Sequence, residues 1–257
     1  MRHLLRRKLL GGSAASGGRF DAPINPDAPF WVVGDIHGRV ALFDRLLDRM
    51  LGVGRPVGRL VLAGDYIDRG DDSATVLRRL HGIQTEVGPD VMVCLRGNHD
   101  QMLLDFLDRP EGAGPRWLRH GGLQTLASYG ISGPRQNAAP EQWQDTRDQL
   151  RGALGEDVEA WLRDLPLSWR SGNVFACHAG ADPALPLGGQ DASVLLWGHP
   201  DFDRIARSDD TWVVHGHTIV KEPQAQAGRI SVDTGAYATN RLTAALIEPG
   251  NVSFVST

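Results

Sequence analysis

The sequence predicts an α/β fold of two packed, mixed β-sheets flanked by helices, with a helical insertion over about residues 115–165. Three observations predict it. Apolar runs alternate with helical patterns from Phe30 onward, the stretch from Trp117 to Leu165 reads as helical, and β-type runs return after Pro166. Short apolar runs bounded by turn signals fit buried strands, whereas apolar residues recurring every three to four positions fit helices.

Taken in order, FWVVGD precedes VALFDRLLDRMLG, RLVLAGD precedes SATVLRRLHG, and VMVCLRG precedes DQMLLDFLDR. This alternation predicts parallel strands joined by crossovers, with loops gathered at the strands' carboxyl ends, where ligands bind in open α/β sheets. GGLQTLASYG, PEQWQDTRDQL and GEDVEAWLRDL, separated by Gly and Pro, form the insertion. LSWRS, NVFACHAG, TWVVHGH, RISVDTG and RLTAALIE then predict a second sheet. Residues 1–28, rich in Gly, Ser, Ala and Pro without periodicity, are expected to be a flexible leader, and residues 29–257 a single domain.

Composition bounds the class. At 257 residues, with 41% apolar and 23% charged content, the chain can bury a sizeable core. A net charge of -4 gives no field that gathers nucleic acid or a membrane surface, so recognition of phosphate must be local. Cys94 and Cys177 sit in apolar runs and read as buried, reduced thiols of a cytoplasmic protein. No apolar run approaches the roughly 20 residues of a membrane span, and Leu9 and Leu10 alone make no secretory segment.

Five strand ends carry polar clusters: GDIHG at 34–38, GDYIDRG at 64–70, RGNHD at 96–100, CHAG at 177–180 and HGH at 215–217. Carboxylate, amide oxygen and imidazole together suit borderline divalent cations such as Mn²⁺, Fe²⁺ and Zn²⁺. Asp35 and His37, two residues apart, can chelate one ion from a strand end. Two neighbouring ions need a shared anionic bridge, for which Asp65 is the candidate, and Asn98, His178 and His217 complete the second site with neutral ligands.

GDIHG, GDYIDRG, RGNHD, HAG and HGH in this order resemble the phosphoprotein phosphatase family of calcineurin-like metallophosphoesterases. The resemblance spans about Phe30 to Ser256, and DTGAYATNRLT is similar to the bacterial members. It implies a metallophosphoesterase sandwich holding two divalent ions, manganese first, with Asp35, His37 and Asp65 on one and Asp65, Asn98, His178 and His217 on the other. It further implies that His99 protonates the leaving oxygen, that Asp68 orients His99, and that Arg69 binds phosphate.

One departure stands out: a second phosphate-clamping Arg is common shortly after a Trp in such proteins, whereas here Trp197 is followed by Gly198 and His199. His199, Arg204 and Arg241 are its possible replacements, and Arg96 is balanced between phosphate contact and a structural role. Simpler readings suffice elsewhere. Asp100 is read as a helix-start carboxylate, His3, His81 and His120 as surface residues, Trp117, Trp143, Trp161 and Trp169 as core, and Tyr237 as packing or a pocket flank.

The expected function is therefore hydrolysis of phosphate monoesters, foremost as a serine/threonine protein phosphatase acting on a phosphoprotein. A diadenosine tetraphosphate hydrolase or another small-molecule phosphoesterase of the same superfamily is the alternative, and His37 and the Asp68-Arg69-Gly70 turn are read against the first of these. A non-catalytic phosphoprotein-binding scaffold is disfavoured, because the six candidate ligands, Asp68 and His99 are all present.

Overall fold

The computed structural model describes residues 20–54, 58–135 and 137–257. Three parallel strands open the fold: β1 (Phe30–Val33), β2 (Arg59–Leu62) and β3 (Met92–Cys94), joined through helices α1 (Val40–Gly52) and α2 (Ser73–Val87). Side chains of a strand alternate between faces. Trp31, Val33, Leu60, Leu62, Met92 and Cys94 accordingly face the helices, whereas Phe30, Val32, Val61 and Val93 face the other sheet. Apolar residues at helical spacing in α1, namely Leu42, Phe43, Leu46 and Met50, meet the first set. Each such side chain, fully buried, contributes about 1.5–3 kcal/mol.

The chain between α3 (Asn98–Asp108) and the second sheet is helical: α4 (Pro110–Trp117), a π-type turn at Leu118–Gly122, α5 (Leu123–Ser128), α6 (Pro140–Leu154) and α7 (Glu156–Asp164). The second sheet comprises β4 (Ser168–Ser171), β5 (Val174–Cys177), β6 (Trp212–His215), β7 (Gln224–Gln226) and β8 (Arg229–Ser231), in the order β4-β5-β6-β8-β7. Strands β5, β6 and β8 run parallel. Helix α8 (Ala192–Trp197) and Phe202 cover the outer face formed by Phe175, Cys177 and Val213.

One expected strand of the second sheet lies elsewhere. RLTAALIE forms β9 (Thr243–Glu248), which pairs antiparallel with β1 and with β10 (Asn251–Ser256), so both belong to the first sheet. The cause is burial on both faces: Ala244 and Leu246 meet the helical layer while Ala245 and Ile247 meet the inter-sheet core, which only an interior strand position provides.

The start of the packed chain also differs from the expected leader boundary. Residues 1–19 lie outside the described residues, but Ile24 is buried in the inter-sheet core, Asn25 donates its backbone N–H to Asn173 Oδ1 at 2.7 Å, and Phe20 meets Trp212 edge to face. Among the described residues no helix is long and apolar enough to cross a membrane. Cys94 and Cys177 are free and buried.

Candidate metal centre

Carboxyl ends of β1, β2, β3, β5 and β6 bring all five polar clusters together, tied by one hydrogen bond within the second sheet and one between the sheets. Gly216 N–H donates to the His178 carbonyl at 2.9 Å, and His178 Nδ1 donates to the Ala63 carbonyl at 2.9 Å. Two glycines permit close approaches to the acidic residues. A Cβ on Gly97 would lie 2.2 Å from both the backbone N and Oδ1 of Asp65, and one on Gly216 would lie 2.0 Å from Asp35 Oδ1.

The backbone is bent sharply at the same place. His37, Asp65, Asp68, Arg69 and His217 all have positive φ, between 45° and 71°, and make up five of the eight such non-glycine residues among those described. Each costs on the order of 1–3 kcal/mol and persists only where the surroundings over-determine it. That concentration of strain marks a functional region.

Asp65 is the hub. Its Oδ2 lies 3.6 Å from His37 Nε2 and 3.9 Å from His99 Nε2, and its Oδ1 lies 3.4 Å from His178 Nε2. Two groups of donor atoms share it, His37–Asp65–His99 and Asp65–His178–His217, each with all its atoms within 4.8 Å of one another. Asn98 Oδ1 joins the second group, 2.8 Å from His178 Nε2 and 2.9 Å from His217 Nδ1. Neither group includes Asp35, whose carboxylate accepts the His217 backbone N–H at 3.0 Å.

Do these residues fit a cation? His37 and His178 each spend Nδ1–H on a backbone carbonyl, of Ile67 and Ala63, which turns an unprotonated Nε2 toward Asp65. Burial holds both imidazoles neutral, with His37 well below its ordinary value and His178 at about 3. Lone pairs of imidazole, amide and carboxylate thus converge on one place. Fixing a metal-facing nitrogen through a hydrogen bond from the other ring nitrogen is the usual arrangement in metal sites. Asp35 adds to the case, since burial and the neighbouring Asp233 and Asp65 charges raise its carboxyl well above the carboxylate range. Buried acids crowded in this way call for positive charge, so the donor set fits divalent cations.

A second device sits beside the hub. His99 Nδ1 donates to Asp68 Oδ2 at 2.7 Å, so Nε2 is the atom left facing the centre. Asp68 also accepts from Trp117 Nε1 at 3.0 Å and from Thr125 Oγ1 at 2.6 Å. Burial and the Asp65 charge push this carboxyl well above the ordinary carboxylate range, while the hydrogen bonds from Thr125 and Trp117 pull the other way. Burial also holds His99 down, at about 4. Arg69 stacks over the Tyr237 ring at 4.6 Å, donates to His37 Nε2 at 3.2 Å, and gives its backbone N–H to the Gly121 carbonyl.

Several residues do more, or less, than their sequence context suggests. Trp117, read as core alone, is fully buried and also holds Asp68. Thr125 carries no pattern that singles it out. The insertion therefore anchors Asp68 and the backbone of Arg69. Asp100 accepts from Gly97, Asp65 and Tyr66 N–H groups, which locks two motif loops to each other. Asp233, missed in the sequence, is buried and hydrogen-bonded to Asp35. Its signal is there in hindsight, because Asp233 follows the β8 run as Asp35 follows β1.

Of the residues weighed for the second phosphate clamp, His199 shares a cleft with His217. Arg204 is exposed beside Asp201, and Arg241 is tied to Glu222 and the Lys221 carbonyl. Arg96 bonds Gln101 and the Arg163 carbonyl, a structural tie. His120 is exposed, yet its ring centroid lies 6.4 Å from that of His99. His81 packs on Trp161, and His3 lies outside the described residues.

The family model for calcineurin-like phosphoesterases matches residues 28–221. The chain belongs to this family. Among curated relatives, a bis(5′-nucleosyl)-tetraphosphatase (asymmetrical) PrpE from Oceanobacillus iheyensis is 28% identical over 83% of this chain and 86% of its own length. A namesake from Bacillus cereus is 28% identical over 83% and 88%. Solved structures share the fold: a protein assigned as a diadenosine tetraphosphatase matches with a TM-score of 0.61 at 23% identity, covering 92% of this chain and 98% of the other. A serine/threonine phosphatase from Saccharomyces cerevisiae matches at 0.56 and 18% identity, over 90% and 80%.

Proposed function

We propose that this metallophosphoesterase hydrolyses bis(5′-nucleosyl) polyphosphates at a two-cation centre. The observation that carries the chemistry is Asp65, shared by two groups of convergent donor atoms, and the names of the curated relatives support the nucleotide substrate. Asp35, His37 and Asp65 would hold one cation, and Asp65, Asn98, His178 and His217 the other, an oxygen and nitrogen donor set that suits Mn²⁺, Fe²⁺ or Zn²⁺. When bound, such a pair acidifies water and offsets phosphate charge.

The chain's own residues supply the rest. His99, once protonated, donates from Nε2 to the leaving oxygen, Asp68 aims the ring through its bond to Nδ1, and Arg69 grips a phosphate oxygen through its planar fork. Hydrolysis adds water across one phosphoanhydride and separates two nucleotides. A cytoplasmic location agrees with the buried free thiols.

A serine/threonine protein phosphatase is the second reading. The His99–Asp68 pair favours it, since an alkoxide leaves poorly unless it receives a proton, whereas a polyphosphate leaves readily. Purified protein supplied with manganese should convert diadenosine tetraphosphate to adenine nucleotides on chromatography, and chelator should stop it. A kcat/KM for phosphoserine peptides about a hundredfold higher, a difference of about 2.7 kcal/mol, would give the site to the second reading.

A further inference from the structure

A cleft of about 360 Å³ opens beside His217, between the end of α8 and the β6–β7 connection. Trp197, His199 and Phe202 line it with aromatic and imidazole surface, and Asp203 and Thr218 stand among its polar groups. Its size is within the range of small-molecule sites. None of its lining residues is Lys or Arg, and Asp203 adds a carboxylate, so away from His217 the cleft offers no grip on phosphate and suits an uncharged planar heterocycle with a polar edge.

Trp197 is held from a second direction. The guanidinium of Arg116, in the last turn of α4, sits 4.4 Å from the centroid of the Trp197 ring. The Arg116 carbonyl also accepts from His120 Nδ1 at 2.8 Å, and the His120 ring approaches His99. One turn of the insertion thereby orients the cleft's aromatic wall and reaches the rim of the metal centre.

We propose that this cleft receives one nucleoside of the substrate, with its base against Trp197, and that Arg116 is a positioning residue for that wall. The inference rests on the nucleotide reading above. It assigns specificity to the step from Trp197 to His199, where the sequence departs from an arginine clamp.

The test compares wild type, Trp197→Ala, Trp197→Phe and Arg116→Ala with diadenosine tetraphosphate and with para-nitrophenyl phosphate, which has no nucleoside. Trp197→Ala should lower the ratio of the two kcat/KM values by about tenfold, the size of one base–aromatic stack, through KM for the dinucleotide. Trp197→Phe should recover most of it, and Arg116→Ala should shift KM in the same sense with kcat for the dinucleotide retained. On labelled wild type, AMP should move the indole N–H resonance of Trp197.

An unchanged ratio, or an indole resonance that AMP leaves in place, overturns the subsite while wild-type dinucleotide cleavage keeps the nucleotide reading. Wild type that neither cleaves the dinucleotide nor binds AMP overturns both.

Discussion

Asp65→Asn should lower kcat/KM by roughly 10²–10³-fold or more, the scale of losing one electrostatic stabiliser, and should abolish tight binding of at least one manganese ion. Asparagine has the same shape and keeps an oxygen for the His99 backbone N–H, which Asp65 Oδ1 accepts at 2.8 Å. What it removes is the charge that both donor groups share. The chelated variant should melt at or above the temperature of the chelated wild type, because the Asp65 charge is one of those pressing on Asp35 and Asp233. Manganese should then stabilise wild type, by about 2.7 kcal/mol for a site at a hundred times its Kd, and the variant much less. Calorimetry and melting curves measure both. Full manganese stabilisation together with normal turnover in the variant would remove Asp65 from its role.

His99→Asn should separate proton transfer from metal binding. His99 Nε2 lies 3.9 Å from Asp65 Oδ2, near enough that its donor atom falls in one of the two convergent groups. Its Nδ1, however, is committed to Asp68, which Trp117 and Thr125 hold in turn, and that is the geometry of an aimed acid. With manganese content unchanged, turnover should fall by about 10²–10⁴ for alkyl phosphates and by less for para-nitrophenyl phosphate or a dinucleoside polyphosphate. Loss of one equivalent of metal, with no dependence on the leaving group, would instead make His99 a ligand.

How much of this the sequence disclosed depended on how local the information was. β1, β2 and β3 with their helices follow from the alternation of FWVV, RLVL and MVC with amphipathic segments, because each signal spans a few neighbouring residues. The meeting of His37, Asp65, Asn98, His178 and His217 was legible because each follows a strand end by a few residues. The pairing of β9 with β1 was not, since a strand buried on both faces reads alike in either sheet. Trp117 and Thr125 were hidden for a similar reason: a buried Trp at core spacing looks the same whether or not its N–H finds a carboxylate 49 positions away. Substrate choice was least legible, and the names of the curated relatives weigh toward the nucleotide alternative. It rests on rim residues such as Trp197 and Arg116, which belong to different elements and share no periodicity.

Crystals soaked in manganese and measured at its absorption edge test the two-cation centre most directly. Two anomalous peaks about 3.5–4 Å apart should flank Asp65, one beside His37 and the other beside Asn98, His178 and His217. No peak among these side chains, or a single peak that Asp65 does not touch, would contradict it.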